Sequence, residues 1–259
     1  MVECLSYIQE VIGSSPFLPT TKNDQNVKEK NKGQIEAHST VNIYGYQASV
    51  AQTSIPIWEN ATAYTYPSVA AKMNLAGSNG DTASIQINGL DADYLAISET
   101  LVLNGTTPVQ TVKSYLRINS MQVTAGSATN PAGVVTLKDL TNTTIYAQIN
   151  AGVGRTQMAI YTVPAGYTFY LQRVNIYTSL NGNNFATYIN KQTSATGVVT
   201  LTQQAPFAIS YEARRIMPRA VLEKTDIQLQ CKVNSTTGAI GIAQEGYLIK
   251  NVVERNGSI

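Results

Sequence analysis

Few residues in this chain have the type and spacing to do chemistry. There is one histidine, His38. A Ser–His–acid triad would have to use it, and it stands in no recognisable motif, so it reads as an exposed polar residue. The two cysteines, Cys4 and Cys231, lie near opposite ends of the chain. One histidine and two distant cysteines do not make a zinc ligand set, and two cysteines are no disulfide framework. They read as free thiols, which suits assembly inside a cell. Among the acids, Asp91-Ala-Asp93 is the one close pair. With Asp81 it offers hard oxygen ligands for calcium, but D-A-D between strands is chiefly turn chemistry, because Asp caps its own backbone. No pair of carboxylates points to glycoside hydrolysis. Gly152-Val-Gly154-Arg-Thr156 is superficially similar to a phosphate loop, yet it lacks the Gly-Lys-Ser/Thr ending and runs into a strand. The expectation is no catalytic residue, no metal site, no cofactor and no enzyme.

Binding chemistry is better represented. Arg214, Arg215 and Arg219 surround Met217-Pro218. Three guanidinium groups within six residues can fork onto the carboxylates of a neighbouring subunit. As a nucleic-acid site the cluster is too small and has no second basic stripe. Tyr44, Tyr46, Tyr64 and Tyr66 alternate in pairs, so each pair shares a strand face. Their amphipathic rings suit a sugar or a partner, and more readily a sandwich face or a subunit contact. The sequons at Asn60, Asn104, Asn142, Asn234 and Asn256 follow from a composition with 29 Thr, 21 Asn and 18 Ser.

That composition sets the fold class. Charged residues make up 13% of the chain, about half the usual share. The surface is drawn from Thr, Asn and Tyr, which suit strands and turns, rather than from the Glu, Lys and Ala of helical proteins. At 43% hydrophobic the chain can build a core, which argues against disorder. The net charge of +2 is too small for a nucleic-acid binder. The first residues lack the basic and apolar regions of a signal peptide, and no run of eighteen apolar residues is present, so no membrane association is expected.

Residues 1–36 stand apart. Leu5, Ile8, Val11 and Ile12 recur at helical spacing, followed by breakers and a charged run from Lys22 to Glu36. This is either an arm that docks on a neighbour through Leu5, Ile8, Phe17 and Leu18 or a frayed terminus. From Val41 the apolar period is two. SIQIN, ISETLVL closed by the hairpin signal Asn104-Gly105, YLRI, MQVT, VVTLKDL and TIYAQIN read as successive strands. A boundary is expected at Ala151–Gly154. Beyond it come MAIYTV, the turn Pro164-Ala-Gly166, Phe169–Tyr177 as the longest strand, then TYINKQ, VVTLTQ, AISYEA, DIQLQCKV and GYLIK. The predicted architecture is all-β: an arm over 1–36 and two antiparallel β-sandwich modules, Ig-like or jelly-roll-like, over 37–150 and 151–259.

Six segments carry a resemblance in combination. They are IPIWENATAYTYPSVA (55–70), INGLDADYLAISETLVLNGTTPVQT (87–111), YLRINSMQVTAGS (115–127), YAQINAGVGRTQMAIYTVPAGYTFYLQRV (146–174) and EKTDIQLQC (223–231), with EGYLIKN (245–251) closing the set. Together they resemble tailed-bacteriophage virion structural proteins of phages of aquatic bacteria, over roughly residues 35–251. The shared signatures are turns and strands, carried by Gly89, Asn104, Gly105, Pro164 and Gly166, and transfer no catalysis. The resemblance implies a non-enzymatic virion protein assembled in the host cytoplasm. The role expected is a capsid-attached decoration, knob or head-fibre subunit that contacts the major capsid protein or other virion proteins. A homo-oligomer, a trimer by preference, is expected. The alternative is a tail fibre or receptor-binding module that recognises host glycans through Tyr64, Tyr66 and Asn181–Asn184. Rigid β modules with few ionisable groups suit a particle that meets changing salt and pH.

Overall fold

The computed structural model describes residues 38–251, apart from 61, 127–129 and 235–236 and the side chains of 38 and 202–204. The chain divides into two units, Met1–Ser39 and Thr40–Ile259, and all but the first two described residues lie in the second. The expected arm, with Leu5, Ile8, Phe17 and Leu18, lies outside the described residues.

Sixteen strands and no helix occur among the described residues. They are β1 (His38–Val50), β2 (Ile55–Pro56), β3 (Asn74–Gly77), β4 (Ser84–Leu90), β5 (Ala96–Val102), β6 (Val109–Gln110), β7 (Arg117–Ala125), β8 (Val135–Lys138), β9 (Ile145–Ile149), β10 (Ile160–Thr162), β11 (Tyr167–Thr178), β12 (Ala186–Thr193), β13 (Val199–Phe207), β14 (Ser210–Val221), β15 (Asp226–Val233) and β16 (Gly238–Lys250). The all-β expectation holds. The division into two modules built from successive halves of the chain does not. The strands form four small antiparallel sheets, a propeller-like set of four blades in number, ordered β1-β16-β11-β14, β10-β15-β12-β13 with β2 on β15, β6-β3-β8-β9, and β5-β4-β7.

Two apolar cores run between these sheets, and the chain crosses between them twice. Trp58, Met73, Leu75, Ile85, Ile87, Tyr115, Ile118, Leu137 and Ile149 belong to one core. Ile43, Val50 and Ile57 join Phe169, Leu171, Val174, Tyr188, Leu229 and Ile242 in the other. Residues 41–57 therefore build the core of the chain's C-terminal part, although sequence order groups them with the first. No local signal marks this, because β1 becomes a partner of β16 two hundred residues later.

The second crossing explains the run MAIYTV. Met158 and Ile160 face the first core, and Ala159, Tyr161 and Val163 face the second. An extended segment sends alternate side chains to opposite faces, so an unbroken apolar run is what a wall between two cores requires. Each large side chain buried there contributes about 1.5–3 kcal/mol. The wall is fastened to β1 by close approach: a Cβ on Gly45 would collide with the Ala159 side chain and lie near the Ile57 carbonyl. Only a residue without a side chain passes at that point.

Two local expectations change. Asn104-Gly105 does form a tight turn, with Gly105 at φ 57° and the Thr107 N–H donating to the Asn104 carbonyl. It closes a single antiparallel bridge, Asn104 to Thr107, and does not pair β5 with β6. Gly105 N–H donates to the Asp81 carbonyl instead, and the chain leaves β5 to pair β6 with β3 in another sheet. The longest strands are β1 and β16, at 13 residues each, ahead of β11 with 12.

Candidate functional site

The most elaborate constellation of charged side chains is a clasp where the two cores meet. Arg117 opens β7 and Asp226 opens β15. Arg117 Nε donates to Asp226 Oδ1 at 2.8 Å and Nη2 donates to Oδ2 at 3.0 Å, a two-pronged pair whose side chains are each 11% exposed. Thr162, on the shared wall, donates its hydroxyl to the same Oδ1 at 2.6 Å. Nη1 donates to the carbonyls of Pro67 and Leu116. The guanidinium lies over the Tyr66 ring at 4.6 Å and near Tyr94 at 5.5 Å. Burial alone would ease the proton off Arg117, but the Asp226 carboxylate outweighs it, and the group sits above its ordinary value. Beside it, the Asn119 side chain donates to the Thr162 carbonyl and accepts from the Thr162 N–H, as a backbone neighbour would. The clasp binds strands of both cores to the wall.

Sequence reasoning passed over both charges, although each lies in a segment quoted above. The available signal was a lone charge embedded in an apolar strand pattern, which is expensive unless it is paired.

The other chemistry-bearing residues are absorbed by the fold. Asp91 Oδ1 accepts the N–H groups of Asp93 and Leu95, and Asp81 accepts those of Ala132 and Gly133, one on each oxygen. Among the described residues no three His, Cys, Asp or Glu side chains gather as a metal site would require. Cys231 is buried, and burial raises its thiol. His38 begins β1. Gly154 and Thr156 bond with the backbone of β7, to Val123 and Met121, in place of cradling an anion.

The tyrosines do not form one stripe. Tyr64 is buried, meets Trp58 and Tyr66 edge-on at 5.1 Å and 5.0 Å, and donates its hydroxyl to the Tyr146 carbonyl. It cannot face a sugar. Tyr44 carries the Arg155 guanidinium at 4.3 Å, while Tyr46 is exposed. Glu59, next to Trp58, has both carboxyl oxygens buried. Burial pushes its pKa up to about 7, against the opposing influence of the Gln157 and Asn150 amides.

The arginine cluster lies on β14, the last strand of its sheet. Arg214 stands opposite Arg173 and Arg219 opposite Leu171, so Gln172 alone faces the four residues 215–218. That irregularity pushes Ile216 and Met217 fully into solvent. Arg214 is exposed, while Arg215 and Arg219 are half-buried. Glu212 meets Arg173 at 3.2 Å on the exposed face. Ile209, just before β14, is 70% exposed. Apolar side chains presented by an edge strand are the surface feature with most capacity for contact.

No family model and no curated protein sequence matches this chain. Among solved structures it is similar to chains of infectious bursal disease virus. The Gt-strain structure aligns at 8% identity over 84% of this chain and 78% of that one, with a TM-score of 0.16. The Gx-strain structure aligns at 10% over 85% and 77%, with a TM-score of 0.15. A mutant VP2 protein of the same virus in derived T=1 particles aligns at 7% over 83% and 78%, with a TM-score of 0.13. Superposition this loose carries no argument about fold or role.

Proposed function

We propose that this chain is a non-enzymatic structural subunit of a virion, of the kind that decorates a tailed-phage capsid as a knob or head fibre. The observation that carries the reading is the division of labour among its polar residues. Asp81 and Asp91 cap turns, Arg117 and Asp226 tie two cores to one wall, and Ile209, Ile216 and Met217 are among the apolar side chains left exposed. Such a molecule resists deformation and presents an adhesive edge. The resemblance in the turn and strand segments points to the same class.

The partners are the major capsid protein or other virion proteins and further copies of the chain, with a trimer as the closed form expected from the sequence. Affinity-labelled antibody on purified particles, with mass spectrometry of the same preparation, tests the reading. The protein in stoichiometric, surface-accessible amounts supports it, and its absence from washed particles overturns it.

A second reading, a tail-associated module for host glycans, draws on the exposed Asn181 and Asn183 beside a partly exposed Phe185. Binding on a glycan array and blocking of adsorption by the free protein distinguish it from decoration.

A further inference from the structure

We propose that Asn79-Gly80, in the turn between β3 and β4, is a self-modification site. The Gly80 main-chain nitrogen attacks the Asn79 side-chain carbonyl carbon, and water opens the resulting ring to aspartate or isoaspartate. The reaction needs no virion role for the chain and no co-reactant but water.

Asn-Gly occurs at 79, 88, 104 and 181 among the described residues. Glycine after asparagine leaves the attacking nitrogen without a flanking side chain. What separates the four pairs is how the fold holds that nitrogen. Gly105 N–H donates to the Asp81 carbonyl at 3.0 Å, away from Asn104's own side chain. Asn88 lies inside β4 with its amide on Ser120 Oγ, and Gly89 is wedged so tightly that a Cβ there would collide with the Arg117 carbonyl. At Asn181 the main-chain and side-chain N–H groups of Asn184 donate to the main-chain carbonyl. At Asn79 the Gly80 N–H donates to Asn79's own Oδ1 at 2.8 Å. Ordinary bond lengths then put the nitrogen about 3–4 Å from Cγ, against about 3–3.5 Å for a near-attack geometry.

The surrounding turn holds this geometry in place. Ser78 N–H donates to the Val134 carbonyl and Ser78 Oγ accepts the Val134 N–H, both at 2.8 Å. Asp81 accepts the Ala132 and Gly133 N–H groups, one on each carboxylate oxygen. Asn79 and Gly80 are exposed between these two anchors, so water reaches the reacting atoms. In the first step the Gly80 nitrogen gives its proton to solvent and forms a bond to Cγ. The Cγ–Nδ2 bond breaks, and Nδ2 takes up a proton and leaves as ammonia. Water then adds to the five-membered imide and breaks one of its two C–N bonds. Opening at Cγ gives aspartate; opening at the main-chain carbonyl gives isoaspartate, which lengthens the main chain between Ser78 and Asp81 by one carbon. A net negative charge is gained either way.

The test incubates the full chain, folded and in guanidinium, in heavy-oxygen water at mildly alkaline pH, and follows each Asn-Gly peptide by mass spectrometry. Folded Asn79 should convert at or above its rate in guanidinium, to aspartate and isoaspartate carrying one heavy oxygen, with ammonia released. It should be the fastest of the four described pairs, and Asn88 and Asn104 should convert about 10-fold or more slower than Asn79 in the folded chain. Peptide resolution keeps Asn256-Gly257, outside the described residues, apart from these rates. A Cβ at Gly80 meets nothing within 4 Å, so Gly80→Ala should keep the melting temperature and slow conversion at Asn79 by about 10-fold or more. A folded rate at Asn79 below its rate in guanidinium overturns the proposal. So does a faster conversion at any other of the four pairs, or a Gly80→Ala chain that converts at the wild-type rate.

Discussion

Removing the Asp226 carboxylate should loosen the joint between the two cores. Asp226→Ala takes away the two acceptors of Arg117 and the acceptor of the Thr162 hydroxyl. It leaves a guanidinium held between Tyr66 and Tyr94, with the Pro67 and Leu116 carbonyls and the Tyr94 hydroxyl as hydrogen-bond acceptors. Breaking a buried ion pair typically costs about 3–5 kcal/mol, most of it from the charge left behind. With each side chain 11% exposed, some water reaches the guanidinium, and the expected loss is about 2–4 kcal/mol. For a body of this size that lowers the melting temperature by roughly 5–15 °C. Urea denaturation followed by Trp58 fluorescence, with calorimetry, gives both quantities. Trp58 reports on the first core and Asp226 opens a strand of the other sheet system, so a shift in the Trp58 transition also shows that the clasp couples them. The double variant Arg117→Ala/Asp226→Ala should lose less than the sum of the single losses, by about 1–3 kcal/mol. Additive single effects, or an Asp226→Ala variant within about 0.5 kcal/mol of wild type, would refute the clasp.

Three further outcomes follow from individual residues. Glu59 has its pKa raised from 4.5 to about 7 when folded, so the folded state holds the proton more tightly than the unfolded state. Its contribution is best below pH 4.5 and declines through to pH 7. Glu59→Gln should match wild type in acid and exceed it by roughly 1–3 kcal/mol above pH 7, read from denaturant midpoints across pH; equal slopes in both proteins would contradict this. Gln244 is wholly buried with neither end of its amide partnered, so Gln244→Met should raise stability by about 1–2 kcal/mol in the same assay, and a loss would show that the amide is satisfied. Gly45→Ala should cost about 1–3 kcal/mol, because the new methyl meets the Ala159 side chain and the Ile57 carbonyl; a neutral result would remove the close approach from the account.

Much of the strand set was legible because it depends on local period. DIQLQCKV coincides with β15 over Asp226–Val233, and SIQIN lies inside β4. What escaped is what depends on distant partners. The Asn104-Gly105 turn forms as its residues dictate, yet the strand after it answers to β3, whose position no neighbouring residue announces. The MAIYTV run was visible as apolar, but its two-sided burial exists only because a second core lies behind it. Arg117 and Asp226 are separated by 109 residues and become a pair only once both sheets are in place. The chemistry candidates divided along the same line. Asp91 makes local turn bonds that its spacing announced, whereas the burial of Tyr64 came from contacts with Trp58 and the Tyr146 carbonyl.

The central claim is that this β body is built into a virus particle. An averaged cryo-electron reconstruction of purified virions tests it most directly. The account predicts density matching the four-sheet body, repeated with the symmetry of the capsid surface and in contact with the capsid protein. A reconstruction with every surface density assigned to other chains, and this protein present only free in the lysate, would contradict it.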